Sequence, residues 1–443
     1  MTAALLLASK GLGAVHARDG DTIRIALIGC GGRGGGAALN ALSVKRGPMQ
    51  IVAMADAFAE KVQSCHDGLK EERPDAVDVP PERRFVGLDG YRGAMDCLRP
   101  GDVVILATPP AFRGVHFKYA IEKGLNVFIE KPVCVDGPSA RLMFELNAEA
   151  QRKNLKVAVG LMGRHSPAMQ ELARRVQDGE LGEIISQYGY RMQGTIVTFR
   201  SPPKPAGLSE VEYQIRRFHS FLWASGGAYN DFFIHIIDHL CWMKGAWPVQ
   251  ARALGGRHYR EGAKGVRYID QNLDSYGVEY TYPDGTVMTF DGRCMDGCEE
   301  KFSSAMHGTK GCAVVSASGD YGMPSRLYTG HNFSKANMIW ESKVPPALQN
   351  PYQNEWESFV DALRDDKPYN EVKRGVEASL VCCMGRMAAH TGQPITFEGM
   401  LACEHDFAPG IATLTLDGPA PVVADADGNY PVPRPGFLTT REY

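Results

Sequence analysis

The feature that most constrains this chain is an apolar run that passes directly into a glycine cluster. Residues 22–28 are rich in isoleucine and leucine; Gly29-Cys30-Gly31-Gly32-Arg33-Gly34 follows at once, then a helical pattern to about residue 43. A continuous apolar run is what a strand buried on both faces requires. Gly29, Gly31 and Gly34 fit the G-x-G-x-x-G spacing. In that motif the first glycine permits a tight turn, the second lets bare backbone approach a pyrophosphate, and the third lets the helix pack on the strand. Free N–H groups at the helix start then favour an anion. A strand, loop and helix of this kind open a βαβ unit, and with it a parallel sheet.

The pattern repeats through the first third of the chain. Strand-like runs at 50–55, 102–107, 126–129 and 156–160 alternate with helical stretches at 112–123 and 138–153. This predicts an N-terminal doubly wound α/β domain of Rossmann type over 21–158. Asp56 ends the second run. A carboxylate there accepts hydrogen bonds from adenosine ribose hydroxyls and repels a 2′-phosphate, so NAD is expected rather than NADP. Ligands of open parallel sheets lie at the carboxyl ends of the strands. Thr108-Pro109 and Glu130-Lys131-Pro132 occupy such ends, and Gly32, Arg33 and His116 are expected beside them in the cofactor crevice.

After about residue 180 the character changes. Longer strand patterns appear at 184–193, 249–256, 275–282 and 286–291, with the turn Tyr282-Pro283-Asp284-Gly285 marking a hairpin, and helices at 226–244, 353–364 and 371–390. A C-terminal α+β domain with a large, mostly antiparallel open sheet is predicted over 159–400. Residues 401–443, rich in proline, glycine and aspartate, read as an extended arm. Pro202, Pro203 and Pro205 make 200–208 a loop or lid candidate.

Composition excludes several classes. Lys plus Arg number 48 against 51 Asp plus Glu, a net charge of −3, with no basic stripe for nucleic acid. No run of about 18 apolar residues suggests a membrane span. The eleven cysteines are scattered without a CxxC, so buried free thiols are expected rather than disulfides or a metal site. The apolar residues 3–8 and Val15-His16-Ala17 look like the end of an export signal over 1–20, which points to a periplasmic or exported protein; a cytoplasmic one is the alternative.

The chemistry concentrates in Gly226-Gly227-Ala228-Tyr229-Asn230-Asp231-Phe232-Phe233-Ile234-His235-Ile236-Ile237-Asp238-His239. Asp231 and His235 share one helical face. His235 suits proton transfer from a hydroxyl near neutral pH, Asp231 suits orienting it or holding its charge, and Lys131 suits donating to the same oxygen. A satisfied core histidine is the competing reading of His235. A metal held by Asp231, His235 and His239 lacks the glutamate of a zinc-protease motif, and none is expected. Trp223 and Tyr229 are candidates for a face that stacks on a sugar ring, and Arg164 for a basic contact.

The blocks IRIALIGCGGRG, TPPAFRGVHFKYAIEKGLNVFIEKP and GGAYNDFFIHIIDHLCW, with residues 354–360 and 391–395, together resemble the glucose-fructose oxidoreductase / inositol dehydrogenase (Gfo/Idh/MocA) family over about 22–400. The resemblance implies a Rossmann domain followed by a domain whose open sheet joins copies into a homo-oligomer, dimer or tetramer. It implies a catalytic set at Lys131, Asp231 and His235. Phe232-Phe233-Ile234 are bulkier than the family's usual small residue between the aspartate and histidine, which bears on substrate size. The activity implied is NAD-dependent oxidation of a carbinol in a sugar, glycoside or polyol. A glycosidase that oxidises its substrate transiently on tightly held NAD is the alternative, and a noncatalytic NAD-binding sensor a third.

Overall fold

The computed structural model describes residues 20–258, 261–262, 265–319 and 323–443; the apolar N-terminal run and Val15-His16-Ala17, on which export was expected, lie outside them. Two sheets organise the described residues. The first has six parallel strands: β1 (Ile23–Ile28), β2 (Met49–Asp56), β3 (Arg84–Val86), β4 (Val103–Leu106), β5 (Asn126–Ile129) and β6 (Val157–Val159). Their order is β3-β2-β1-β4-β5-β6. The order reverses between β1 and β4, where a doubly wound sheet opens its ligand crevice. β4 and β5 are buried at every position, as strands covered on both faces must be.

The second sheet has nine strands, in the order β14-β13-β12-β11-β7-β10-β9-β8-β15. It comprises β7 (Ile184–Gln193), β8 (Gln250–Gly256), β9 (Ser275–Thr281), β10 (Val287–Cys294), β11 (Lys301–Gly308), β12 (Gly311–Ser316), β13 (Arg326–Thr329), β14 (Met338–Glu341) and β15 (Ile395–Thr396). All neighbours are antiparallel except β7 and β10. In β10 buried and half-buried residues alternate strictly, the pattern of a sheet packed on one face and open on the other. Helix Gly227–Lys244 lies on the packed face: Ile236 and Leu240 come so close to Gly189 of β7 that a β-carbon there would sit 2.6 Å from Ile236 Cγ2. Strands β11–β14 were not anticipated from the sequence. β13 and β14 are short and β11 carries mixed polar residues, Lys-Phe-Ser-Ser, so their strand character comes from pairing with neighbours; β12, Gly-Cys-Ala-Val-Val-Ser, is apolar and buried and was missed despite that signal.

The two halves are interleaved. Helix Pro351–Arg364, far along the chain, returns to the first sheet, where Trp356 stacks on Phe128 of β5 with ring centroids 4.5 Å apart. Helix Val372–Thr391 is buried along most of its length. The final segment has little regular structure but packs inward: Phe407, Val422 and Tyr430 join a buried cluster with Phe221 and Trp223. Near its end the Glu442 carboxylate meets the fully buried Arg386 and His390 at 2.8 and 2.6 Å. Among the described residues no helix is long and apolar enough to cross a membrane.

Candidate active site

At the carboxyl ends of β1, β2 and β4 lies a cavity of about 470 Å³. One wall is the glycine loop with Asp56, Phe58, Thr108 and Pro109; the opposite wall is Thr198, Arg216, Phe218 and His219, from a segment that follows β7. The glycine loop is built as its spacing predicts. Gly29 has φ +98°, and a β-carbon there would lie 2.6 Å from the Ala107 carbonyl carbon. A β-carbon on Gly34 would lie 1.9 Å from the Gly29 oxygen, so only glycine lets helix Gly32–Leu42 pack this closely. Gly31 and Gly32 have no neighbour within 4 Å where a side chain would project; there the backbone is open to the cavity. The helix starts without a side-chain cap or an acidic first turn, leaving its N–H groups for an anion.

Asp56 closes this end. Its carboxylate accepts from the Cys30 and Phe58 N–H groups at 2.7 and 3.1 Å. A carboxylate has about four acceptor sites, so capacity remains for ribose hydroxyls. Burial raises its pKa, and the two N–H donors work against that shift. Thr108 and His116 bond side chain to side chain at 3.2 Å; burial pushes the His116 pKa down to about 3, so its ring is neutral. These residues fit a dinucleotide: an open glycine backbone for the pyrophosphate and a carboxylate at the ribose position.

Two expected cofactor contacts turn elsewhere. Arg33 Nε pairs with Glu130 at 2.5 Å and its guanidinium lies 4.4 Å from the Tyr352 ring centre, and neither Arg33 nor Glu130 lines the cavity. A charge this near the sheet is satisfied first by the opposite charge beside it. Close by, Glu355 is buried with no hydrogen-bond partner, and burial, then Glu130, push its carboxyl well up towards the neutral form.

Lys131 and Asp231, 100 residues apart in sequence, meet beside the far wall. Lys131 Nζ donates to the Asp231 carbonyl oxygen at 2.6 Å and lies 3.5 Å from its Oδ1. Burial opposes the charge on Asp231, but Lys131 and then His219 outweigh it and hold the carboxyl well below its ordinary range. His235 sits one turn further along the helix; burial, then the Lys131 and Arg191 cations, push its pKa well down. The Asp231 carboxylate accepts from Lys131 and lies 3.3 Å from His219 Nε2, with no hydrogen bond to His235, which revises the expectation that Asp231 orients His235.

The proposed sugar-stacking face does not form. Trp223 is fully buried, its indole N–H bonded to Gln214 at 2.7 Å. Tyr229 is fully buried as well, its hydroxyl 2.8 Å from that of Tyr280. Both are core side chains: Trp223, in the short helix Leu222–Ser225, packs with Phe221 and Phe112, and Tyr229, in helix Gly227–Lys244, packs with Phe233 and Tyr276. Arg164 is held in a bidentate pair by Asp238, with shortest contacts of 2.8 and 2.9 Å, under Trp242 and Trp247. It is a packing cation, not an available basic contact. His239 bonds Ser304 at 2.7 Å, and burial pushes its pKa down to about 3.

Two residues escaped the sequence reading. Arg113, buried at the start of helix Arg113–Glu122, donates to the carbonyl oxygens of Leu106 and Glu130. It thus ties the end of β4 to the residue before Lys131; burial lowers its pKa to about 10. An arginine in an otherwise apolar helix start was the available signal. His219 lines the cavity and contacts Asp231 at 3.3 Å; its neighbours in sequence, Arg-Phe-His-Ser-Phe, give no motif.

Residues 23–161 match the model of the GFO_IDH_MocA oxidoreductase family, with its NAD-binding Rossmann fold. The chain is 24% identical to an inositol 2-dehydrogenase of Rhizobium meliloti over 77% of its own length and 89% of that protein. It is 30% identical to a scyllo-inositol 2-dehydrogenase (NAD(+)) of Bacillus subtilis, over 33% of this chain and 36% of that one. Among solved structures, a levoglucosan dehydrogenase in complex with NADH and L-sorbose matches with TM-score 0.66 and 16% identity, covering 85% of this chain and 99% of that one. An aldose-aldose oxidoreductase from Caulobacter crescentus matches with TM-score 0.63 and 16% identity, covering 85% and 100%. These structural likenesses establish the shared fold. The open glycine backbone, the carboxylate at the end of the second strand and the family match lead to one conclusion: residues 23–161 are an NAD-binding Rossmann domain of the kind that the Gfo/Idh/MocA oxidoreductase family carries.

Proposed function

We propose that this protein oxidises a carbinol of a sugar, glycoside or polyol, with Lys131, Asp231 and His235 at the reacting hydroxyl. The observation that carries the reading is the Lys131–Asp231 contact, which brings a strand end of the cofactor sheet to the helix bearing His235. Inositol dehydrogenases among the relatives make a polyol the first substrate class to try. NAD, when bound, supplies the hydride acceptor. His235 is neutral, so its ring nitrogen can take the hydroxyl proton. The Lys131 ammonium, anchored by Asp231, donates to the carbinol oxygen as negative charge develops there. Phe232, stacked on His219 at 5.4 Å, stands beside this cluster as a bulky side chain.

The test is a panel of myo-inositol, scyllo-inositol and levoglucosan with purified protein and NAD. Stoichiometric NADH supports the reading, and no reaction with any of them overturns it. A second reading has one observation in its favour: Arg216 joins the two walls of the cleft, pairing with Glu60 at 2.5 Å over the Phe58 ring. Such a bridge suits a retained cofactor. Product formation from a glycoside without NADH accumulation would favour transient oxidation with elimination. We also propose that the outer face of the nine-stranded sheet, where Tyr188, Tyr190 and Phe333 line a shallow groove, joins copies of this chain. Light scattering that shows a monomer at micromolar concentration would exclude this.

A further inference from the structure

We propose that His219 is a positioning residue for the Asp231 carboxylate, delivered to it by the wall of the cofactor cleft. The inference rests on the functional reading above and assigns a role to a residue outside the Lys131, Asp231 and His235 set. Asp231 presents its two carboxylate oxygens in different directions: Oδ1 lies 3.5 Å from Lys131 Nζ, and Oδ2 lies 3.3 Å from His219 Nε2. The other ring nitrogen of His219, Nδ1, lies 2.7 Å from Thr198 Oγ1. With the threonine hydroxyl donating to Nδ1, the imidazole carries its proton on Nε2, the nitrogen that faces Asp231 Oδ2 at 3.3 Å. The ring has little freedom to do otherwise. Its centroid lies 3.8 Å from that of Phe218 on one side, and Phe232 stacks on the other at 5.4 Å and 17°.

Two consequences follow from this arrangement. A carboxylate held by one cation alone can rotate about its terminal torsion, which is broad and roughly two-fold. Held from both sides, it keeps Oδ1 on Lys131 and fixes where that ammonium points. Moreover, Thr198, Phe218 and His219 all line the NAD cavity, whereas Lys131 and Asp231 do not. The wall that encloses the cofactor therefore also sets the proton-handling cluster behind it. A merely structural histidine at this place needs only its ring stack and its Thr198 bond; the Asp231 contact is the part such a role leaves unexplained.

Three substitutions separate the contacts. In His219→Gln the side-chain amide nitrogen falls close to the position of Nε2 and keeps a donor for Asp231. His219→Asn reaches only the position of Nδ1, and His219→Leu keeps bulk without either contact. Leu and Asn should lower kcat by about ten- to a hundredfold, the effect of one hydrogen bond to a charged group, with KM and the NADH dissociation constant within about twofold. Gln should recover most of kcat. The substrate is whichever member of the inositol and levoglucosan panel the wild type oxidises fastest. As a second readout, denaturant unfolding of the cofactor-free Asp231→Asn, His219→Leu and double variants should show non-additive free energies. Wild-type kcat in His219→Leu overturns the inference, as does a Gln variant as impaired as Leu, or additive unfolding energies. If Asp231→Asn and His235→Ala also keep full turnover, or if the wild type is inert towards the panel, the functional reading itself has failed.

Discussion

The two walls of the cleft are built on different principles. The cofactor wall is a backbone construction: glycines at fixed spacing, strand ends and one short carboxylate, all supplied by a contiguous stretch of parallel sheet. The opposite wall and the cluster behind it are a side-chain construction, in which Lys131, Thr198, His219 and Asp231 arrive from separate elements and hold one another by hydrogen bonds and one close polar contact. Backbone geometry tolerates no β-carbon at Gly34 but leaves most nearby side chains interchangeable. A side-chain cluster has the reverse sensitivity, because each donor serves the next.

This contrast can be broken by experiment. If it is right, substitutions in the cluster should act on kcat and those in the loop on NAD affinity. The largest effect is expected from His235→Ala and Lys131→Ala. Each should lower turnover by about 10²–10⁴-fold, the usual worth of positioned acid–base groups, with NADH affinity measured by fluorescence almost unchanged. A His235→Ala enzyme with near wild-type turnover would remove that residue from the mechanism.

Next comes Glu442→Gln, which tests whether the far wall depends on the chain end. Arg386 donates to Glu442, to the Val135 carbonyl and to the Gly226 carbonyl at the start of the Asp231 helix. Against the opposing effect of burial, Arg386 and His390 lower the Glu442 pKa from 4.5 to about 2. A depressed carboxyl stabilises the fold above its unfolded pKa, and that stability is lost as pH falls through the folded value. Glu442→Gln should therefore cost about 3 kcal/mol at neutral pH, as a broken buried pair does, and the gap to wild type should close between pH 4.5 and about 2. A gap independent of pH in denaturant titrations would refute the assignment.

In the loop, Gly34→Val should weaken NAD binding by about ten- to a hundredfold, since relieving such overpacking typically costs about 1–3 kcal/mol; calorimetry reads this directly. Asp56→Ala should narrow the preference for NAD over NADP by about tenfold, or about 1.4 kcal/mol; equal binding of both by the wild type would sink the role of Asp56. The smallest effect is expected from Tyr229→Phe. It loses one buried hydroxyl pair, worth about 1 kcal/mol of stability, and turnover should not change. A drop in turnover there would revive its place at the substrate.

The legible part of this protein is its local part. The strand–glycine–helix opening, the alternation that follows, Asp56, Lys131 and the Asp231/His235 spacing are properties of a few consecutive residues, where period and steric demand act directly. The nine-stranded sheet was legible only in its longer alternating strands. Short ones such as β13 and β14 are strands because a neighbour pairs with them.

What the sequence determined by itself was the sheet type, the glycine turn of the NAD-binding domain and the residue types able to move a proton. What the tertiary structure decided was direction. It turned Trp223 and Tyr229 into core, paired Arg33 with Glu130 and Arg164 with Asp238, and brought His219 to Asp231. Burial makes an unpaired polar group costly, so each buried charge takes whatever partner the fold carries to it. That choice is made between residues far apart in the chain, where neither spacing nor residue type records it.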